Sequence, residues 1–354
     1  MDNIKQQNTT VQPQRTNEAP AKTTNENRKQ FNIEPPSVSL PKGGGAIKSI
    51  DEKFSVNALN GTSSFGIPIP FSAARGFSPA LSLSYNSGSG NGVFGLGWSL
   101  TVSSIKRKTE KELPQYYDAA DSDTYIISEA EDLVPEFRKS DKINFDKDAN
   151  GNYILNEFPG IDKINPATNE NFIIRRYRPR IEGLFSRIER WTEKSSGLIH
   201  WRVISKDNIT TIYGKWLSSK VSDPDDSTHI FEWFPDLVYD DKGNCCLYEY
   251  KIEDGVGIPL NLHNSNRLNG NSKFANTYLK RVWCGNKIPY NDKGENLPAA
   301  DQFMFETVFD YGEHDKQIIP FAEVNPWSFR PDAFSSYRSG FEIRTCRLCN
   351  RVLL

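Results

Sequence analysis

Beyond about Ala46 the dominant spacing of apolar residues along this chain is two, not the 3.6 of an amphipathic helix. In "ALSLSY", Leu81, Leu83 and Tyr85 fall on one face of an extended strand and Ala80, Ser82 and Ser84 on the other. "FGIPIPF" carries Pro68 and Pro70 two positions apart, which a helix interior does not tolerate and an edge strand does. "HWRVIS" and "ITTIYG" flank the polar Lys206–Asn208 and read as a hairpin. "CLYEYKI", "YLKRVWC" and "FMFETVFDYG" repeat the pattern, and aromatics make up 12% of the chain. The expected fold class is all-β: successive antiparallel hairpins forming extended sheet strips.

A length of 354 residues with 37% hydrophobic content supports one large core or two ordinary ones. A net charge of −2 gives no global attraction to nucleic acid or an anionic membrane, and no apolar run is long enough to span a bilayer. Residues Met1 to about Gln30 are rich in Asn, Gln, Thr and Lys without one aromatic, and are expected to be disordered. With the Pro/Gly-rich "PPSVSLPKGGG", residues 1–41 read as tail and linker, and 42–354 as a single all-β domain. Five cysteines stand at Cys245, Cys246, Cys284, Cys346 and Cys349; Cys245 and Cys246 face opposite sides of a strand, and reduced, partly buried thiols are expected.

The stretch "LSLSYNSGSGNGVFGLGWSLTVSSI" contains G-x-G-x-x-G at Gly90, Gly92 and Gly95. A dinucleotide loop requires a helix immediately afterwards, because its first amides hold the phosphates. Here Trp98, Leu100 and Val102 alternate with Ser99, Thr101 and Ser103, which is a strand. Gly90, Gly92, Gly95, Gly97 and Trp98 are therefore a structural motif: a wide hairpin that needs positive φ and close packing around Phe94 and Trp98.

From "PKGGGAIKSIDEKFSVNALNGTSSFGIPIPFSAARGFSPALSLSYNSGSGNGVFGLGWSL" the chain resembles the SpvB-type domain. That domain opens the B components of bacterial insecticidal toxin complexes and the Salmonella virulence plasmid protein B. The resemblance continues through "IKRKTEKELPQYYDAADSDTYIISEAEDLVP", "FIIRRYRPRIEGLFSRIERW", "YDDKGNCCLYEYK" and "YRSGFEIRTCRLCNRVLL", covering about Lys42 to Leu354. It implies a non-catalytic β-shell segment that helps encapsulate and deliver a cytotoxic polypeptide. The implied partners are the continuation of the B component, a C component and the A-component pentamer. Since the N-terminus lacks the apolar segment of a secretory signal, synthesis in the bacterial cytoplasm followed by secretion or release by another route is expected. "RTCRLCNRVLL" reads as a strand cut short, so a truncated or split gene product is expected.

Asp146 to Glu157, "DKDANGNYILNE", fits an EF-hand calcium loop, with Asp146, Asp148, Asn150, Asn152 and Glu157 as oxygen donors and Gly151 at the sharp turn. "FPGIDKINP" follows where a helix is required, so a polar β-turn is the competing reading and no cofactor other than calcium has a loop to bind. Cys346 and Cys349 form a lone C-x-x-C without a second pair at zinc spacing. Four scattered histidines make no ligand pattern. Glu129 and Glu131 form the E-x-E of an ADP-ribosyltransferase, but the arginine and Ser-Thr-Ser strand of that fold are missing, and both read as surface charge. "IIRRYRPRIEGLFSRIERW" places Arg176, Arg178 and Arg180 opposite Arg175 and Tyr177. With Glu182, Glu189 and Glu193 nearby, it reads as an Arg/Glu ladder on an exposed face and not as a nucleic-acid stripe. "YDDKGNCCLYEY" resembles one YD repeat: Tyr239, Asp240, a turn at Gly243, then Tyr248 and Tyr250. Two alternatives stand beside the shell reading: the N-terminal part of an ADP-ribosyltransferase toxin without its catalytic domain, and a calcium-stabilised extracellular binding module.

Overall fold

The computed structural model describes residues 53–354 and the pair Lys29–Gln30, apart from positions 58, 129–130, 142, 162–170, 184, 269–273, 293–296, 316 and 318–321. The tail assigned to residues 1–41 otherwise lies outside the described residues. Fifteen strands form one continuous antiparallel sheet. Its order runs from Lys220–Ser222 through Ile230–Trp233, Ile105–Arg107, Tyr125–Ile127 and Glu131–Pro135 to Asn171–Pro179. It continues through Arg187–Glu193, Ile199–Ile204, Thr210–Tyr213, Pro235–Tyr239, Cys245–Ile252, Thr277–Asn286 and Phe303–Asp310 to Arg351–Leu353. Glu157–Ile161 branches off by pairing with the first half of Asn171–Pro179. Helix is confined to Ser265–Leu268 and three short 3-10 turns among the described residues.

The hairpin written into "HWRVIS…ITTIYG" forms with Ile204 opposite Thr210 and Trp201 opposite Tyr213, and Asn208 takes the positive φ of its turn. The YD-like segment is likewise a hairpin, Pro235–Tyr239 against Cys245–Ile252. Asp240 closes its turn by accepting the N–H groups of Lys242 and Asn244 at 2.9 Å each, the habit that places Asp at turn entries. Tyr248 and Tyr250 bury on one face of the second strand.

The sheet curls. Trp233, fully buried on an early strand, donates its indole N–H to the carbonyl of Ile199 at 2.9 Å, and Gly214 binds Phe234 O at 2.8 Å. The enclosed core holds Ile105, Tyr125, Ile188, Trp201, Tyr213 and Trp233. A second core lies further along the sheet, where a four-stranded antiparallel sheet (Lys53–Val56, Ser63–Pro68, Ser82–Asn86, Trp98–Leu100) and its flanking loops reach the strands from Cys245 to Asp310. One expectation is corrected here. Ser63–Pro68 is an interior strand of the small sheet, not an edge. Its partner Lys53–Val56 ends opposite Gly66, so Pro68 lies beyond the last paired residue and its missing N–H costs no ladder bond.

Candidate functional site

The glycine-rich stretch folds as a hairpin and re-enters extended pairing. Asn91–Gly92 pairs with Gly95–Leu96, and Trp98–Leu100 then pairs back onto Ser82–Asn86 with Trp98 opposite Tyr85. Gly95 and Gly97 hold φ of +103° and +79°, a region that costs a Cβ-bearing residue. A Cβ on Gly97 would stand 2.6 Å from Tyr85 Cε2 and 2.9 Å from Asn86 O; one on Gly92 would stand 2.5 Å from Trp98 O. A Cβ on Gly90 would meet nothing within 4 Å. The Trp98 ring sits 5.2 Å from Tyr85 and 6.3 Å from Phe65, and Phe94 meets Phe309 edge-on at 6.2 Å.

Electrostatics in this loop run opposite to those of a phosphate cradle. The buried Arg330 donates to Gly92 O at 2.7 Å and Asn91 Oδ1 at 2.9 Å, and pairs with Asp332 at 2.9 Å. The loop offers carbonyl oxygen to a cation instead of amides to an anion. Between this hairpin and the main sheet lies a cavity of about 560 Å³, walled by Trp98, Leu100, Phe234, Tyr250, Leu279 and Tyr311. Its one acidic wall residue, Glu232, accepts the Ser104 hydroxyl at 2.7 Å. The rest of the polar lining is hydroxyl, including that of Ser99, Thr101, Ser103, Ser128 and Thr277.

The Arg/Glu pairing forms in part, but its face is not an exposed one: Glu189 is buried beside Ile174 and Trp191, whose cluster covers it. Arg176 lies directly opposite Glu189, with their charged groups 3.6 Å apart, and Arg187 reaches the same carboxylate at 3.1 Å. Arg180 pairs with Asp132. Glu182 and Glu193 do not join: the first accepts Phe185 N and the second the Ser195 and Ser196 hydroxyls. The opposite face is buried and carries its own network, which sequence reasoning missed. Arg107 and Arg190, each 1% exposed, meet the loop "YYDAADSD". Arg107 binds Asp118 at 2.9 Å and Asp123 at 2.6 Å, and Arg190 binds Asp121 at 2.9 Å. The Tyr125 hydroxyl donates to Asp118 at 2.6 Å, and that of Tyr177 to Asp121. Burial drives both phenols well above their ordinary range, so they act as donors throughout the physiological pH interval. Period-two counting contained the signal, since Arg190 shares a face with the core residue Ile188.

In the candidate calcium loop, Asp146 accepts Ser140 N at 3.0 Å and Ser140 Oγ at 2.8 Å, and pairs with Arg138 at 2.6 Å. Asp148 accepts the N–H groups of Asn150 and Asn152 and the side-chain amide of Asn152. These bonds hold both carboxyls below their usual range, led by the Ser140 hydroxyl for Asp146 and the backbone N–H of Asn152 for Asp148. Gly151 supplies the turn at φ +86°. Glu157 stands apart on its strand, bound by Arg175 at 2.6 Å. The turn gathers Asp148, Asn150 and Asn152, while Asp146 and Glu157 are engaged elsewhere.

Among the described residues, the group with metal-ligand character is Asp310, Glu313 and His314. Cations already meet it: Lys280 at 2.5 Å and Lys251 at 2.7 Å from Glu313, and Arg351 at 2.6 Å from Asp310. Asp310 also accepts the N–H groups of Gly312, Glu313 and His314. It is an internal ion network closing a turn. Cys346 is fully buried and Cys349 partly so, and all five cysteines are free thiols. Glu129 lies outside the described residues, as does the side chain of Glu131. Among the described residues no helix is long and apolar enough to cross a membrane.

A family model described as Salmonella virulence plasmid 65kDa B protein matches residues 57–354. Among curated proteins, the chain is 37% identical over 327 residues to the mono(ADP-ribosyl)transferase SpvB of Salmonella choleraesuis strain SC-B67, covering 91% of this chain and 51% of that protein. The chain thus spans about half the length of the curated relatives it matches. Among solved structures it resembles the N-terminal domain of effector protein SpvB from Salmonella typhimurium strain LT2, with TM-score 0.68 and 35% identity over 81% of this chain and 85% of that one. It also resembles the TcdB2–TccC3 crystal structure, with TM-score 0.70 and 32% identity over 89% of this chain and 14% of that one. For the Photorhabdus luminescens Tc holotoxin pore the values are 0.71 and 32%, over 91% and 14%.

Proposed function

Because this chain belongs to the SpvB family, whose model matches residues 57–354, we propose that it is a non-catalytic structural domain of a bacterial toxin assembly. It contributes sheet strips to a β-shell that encloses and helps deliver a cytotoxic polypeptide. The observation that carries this reading is the continuous fifteen-stranded antiparallel sheet, matched at TM-score 0.70 to a 14% portion of the TcdB2–TccC3 chain. One further feature supports it. The strand Arg351–Leu353 pairs on one side with Phe303–Asp310 and stands at the end of the sheet order, where a further strand could add.

The transferase activity named for the curated relatives belongs, on this reading, to the half of those proteins that the chain does not span. The partners are the continuation of a B component, a C component and an A-component pentamer, met after release from the producing cell. Co-expression with the product of the neighbouring reading frame tests the proposal. Co-elution as one larger particle with a closed outline in electron micrographs is expected. A monodisperse monomer indifferent to that partner refutes it, as does transfer of label from NAD to actin by the purified chain.

A further inference from the structure

Cys246 and Cys284 are cross-strand neighbours in the middle of the main sheet. Backbone hydrogen bonds on either side define their relation. Asn244 O accepts from Asp240 N at 3.0 Å, towards the strand Pro235–Tyr239. Cys245 N donates at 2.9 Å to Asn286 Oδ1, on the side of Thr277–Asn286. Backbone polar groups of successive strand residues point to alternate sides, so Cys246 again directs its own towards Pro235–Tyr239. Cys246 and Cys284 therefore form a non-hydrogen-bonded pair, in which Cα atoms approach to about 4.5 Å and side chains lie closest. That separation falls within the range a disulfide spans, about 4.4–6.8 Å. The two side chains share one apolar face with Val238, Tyr248 and Val282. Cys245 belongs to the other face, and Cys346 packs in a separate cluster.

We propose that Cys246 and Cys284 are a modification site: a dithiol that closes to a cross-strand disulfide when the chain folds or opens in an oxidising medium, with a small-molecule disulfide as co-reactant. One cysteine thiolate attacks a sulfur of that disulfide, forming a mixed disulfide and expelling one thiolate. The second cysteine thiolate attacks the protein sulfur of the mixed disulfide, forming the Cys246–Cys284 bond and expelling the other thiolate. Two protons pass from the cysteines to the expelled thiolates, the cysteine pair loses two electrons, and the co-reactant becomes two thiols. Both sulfurs are buried, at 0% and 1% exposure, so exchange takes place while the strand pair is open. The bond would tie together two of the longest strands of the sheet, and the inference stands whether or not the chain serves a shell.

The test is to refold the full chain in oxidised plus reduced glutathione, block free thiols with iodoacetamide and map peptides without reduction. A Cys246–Cys284 link, with Cys245, Cys346 and Cys349 alkylated, is expected. The oxidised form should melt roughly 5 °C above the reduced one. Cys245→Ser should keep that difference, and Cys246→Ser and Cys284→Ser should each abolish it. Alkylation of both Cys246 and Cys284 in the wild-type chain overturns the proposal, as does a dominant link through Cys245. The wild-type map decides the matter even where a serine variant fails to fold.

Discussion

Adding one methyl group to Gly97 tests whether the glycine hairpin serves packing. At φ +79° an alanine bears about 1–2 kcal/mol of backbone strain. Its Cβ would lie 2.9 Å from Asn86 O, a backbone atom, and 2.6 Å from the Tyr85 ring that packs on Trp98. Neither neighbour can yield without shifting the strand Ser82–Asn86, an overpacking cost of about 1–3 kcal/mol. Reduced freedom of the unfolded chain returns about 0.4–1 kcal/mol. The net expectation for Gly97→Ala is a loss of about 1–5 kcal/mol, centred near 3. Gly95→Ala, at φ +103° with nothing within 4 Å, should lose about 1 kcal/mol from strain alone. Gly90→Ala, with ordinary φ and open space, should change stability by under about 0.5 kcal/mol. Equilibrium urea unfolding followed by tryptophan fluorescence and far-UV circular dichroism measures all three. If Gly97→Ala costs no more than Gly95→Ala, the close approach of Tyr85 and Asn86 is not what fixes this glycine and the packing account fails.

Glu253→Gln should destabilise by about 3 kcal/mol, because it removes the fully buried carboxylate beside the fully buried Arg347 and leaves only the part-exposed Asp254, at 3.5 Å, as counter-ion; an unchanged urea midpoint would refute this. Burial raises the Asp236 carboxyl to about 7, so the native state binds more protons than the unfolded chain between about pH 4 and 7 and stability should fall as pH rises through that window. Asp236→Asn should flatten that slope in urea titrations at pH 5 and 7, and an identical slope in both proteins would discount Asp236 as its source. Addition of calcium, then chelator, should leave the thermal midpoint within about 1 °C, since Asp146, Asp148 and Glu157 are engaged by Ser140, Asn152 and Arg175. A calcium-dependent rise would show instead that these contacts yield to the ion.

Strand identity was legible because side chains on an extended chain alternate faces, so period two in "HWRVIS" and "CLYEYKI" determines which residues share a side. Turn chemistry was legible for the same local reason: Asp240 and Gly243 mark their own reversal. Alternation does not say which strand becomes the neighbour, nor which face turns inward. Those choices rest on long-range pairing, and they decided the rest. The curl of the sheet made Arg107 and Arg190 interior cations and turned "YYDAADSD", ordinary surface charge by composition, into their counter-ions. The pairing of Ser63–Pro68 between two strands made an apparent edge interior. Residues Cys246 and Cys284, far apart in sequence, became opposite neighbours only through the register of their strands. Local sequence determined extended conformation and turns; the free energy of burying apolar faces and pairing charges away from water determined the partners.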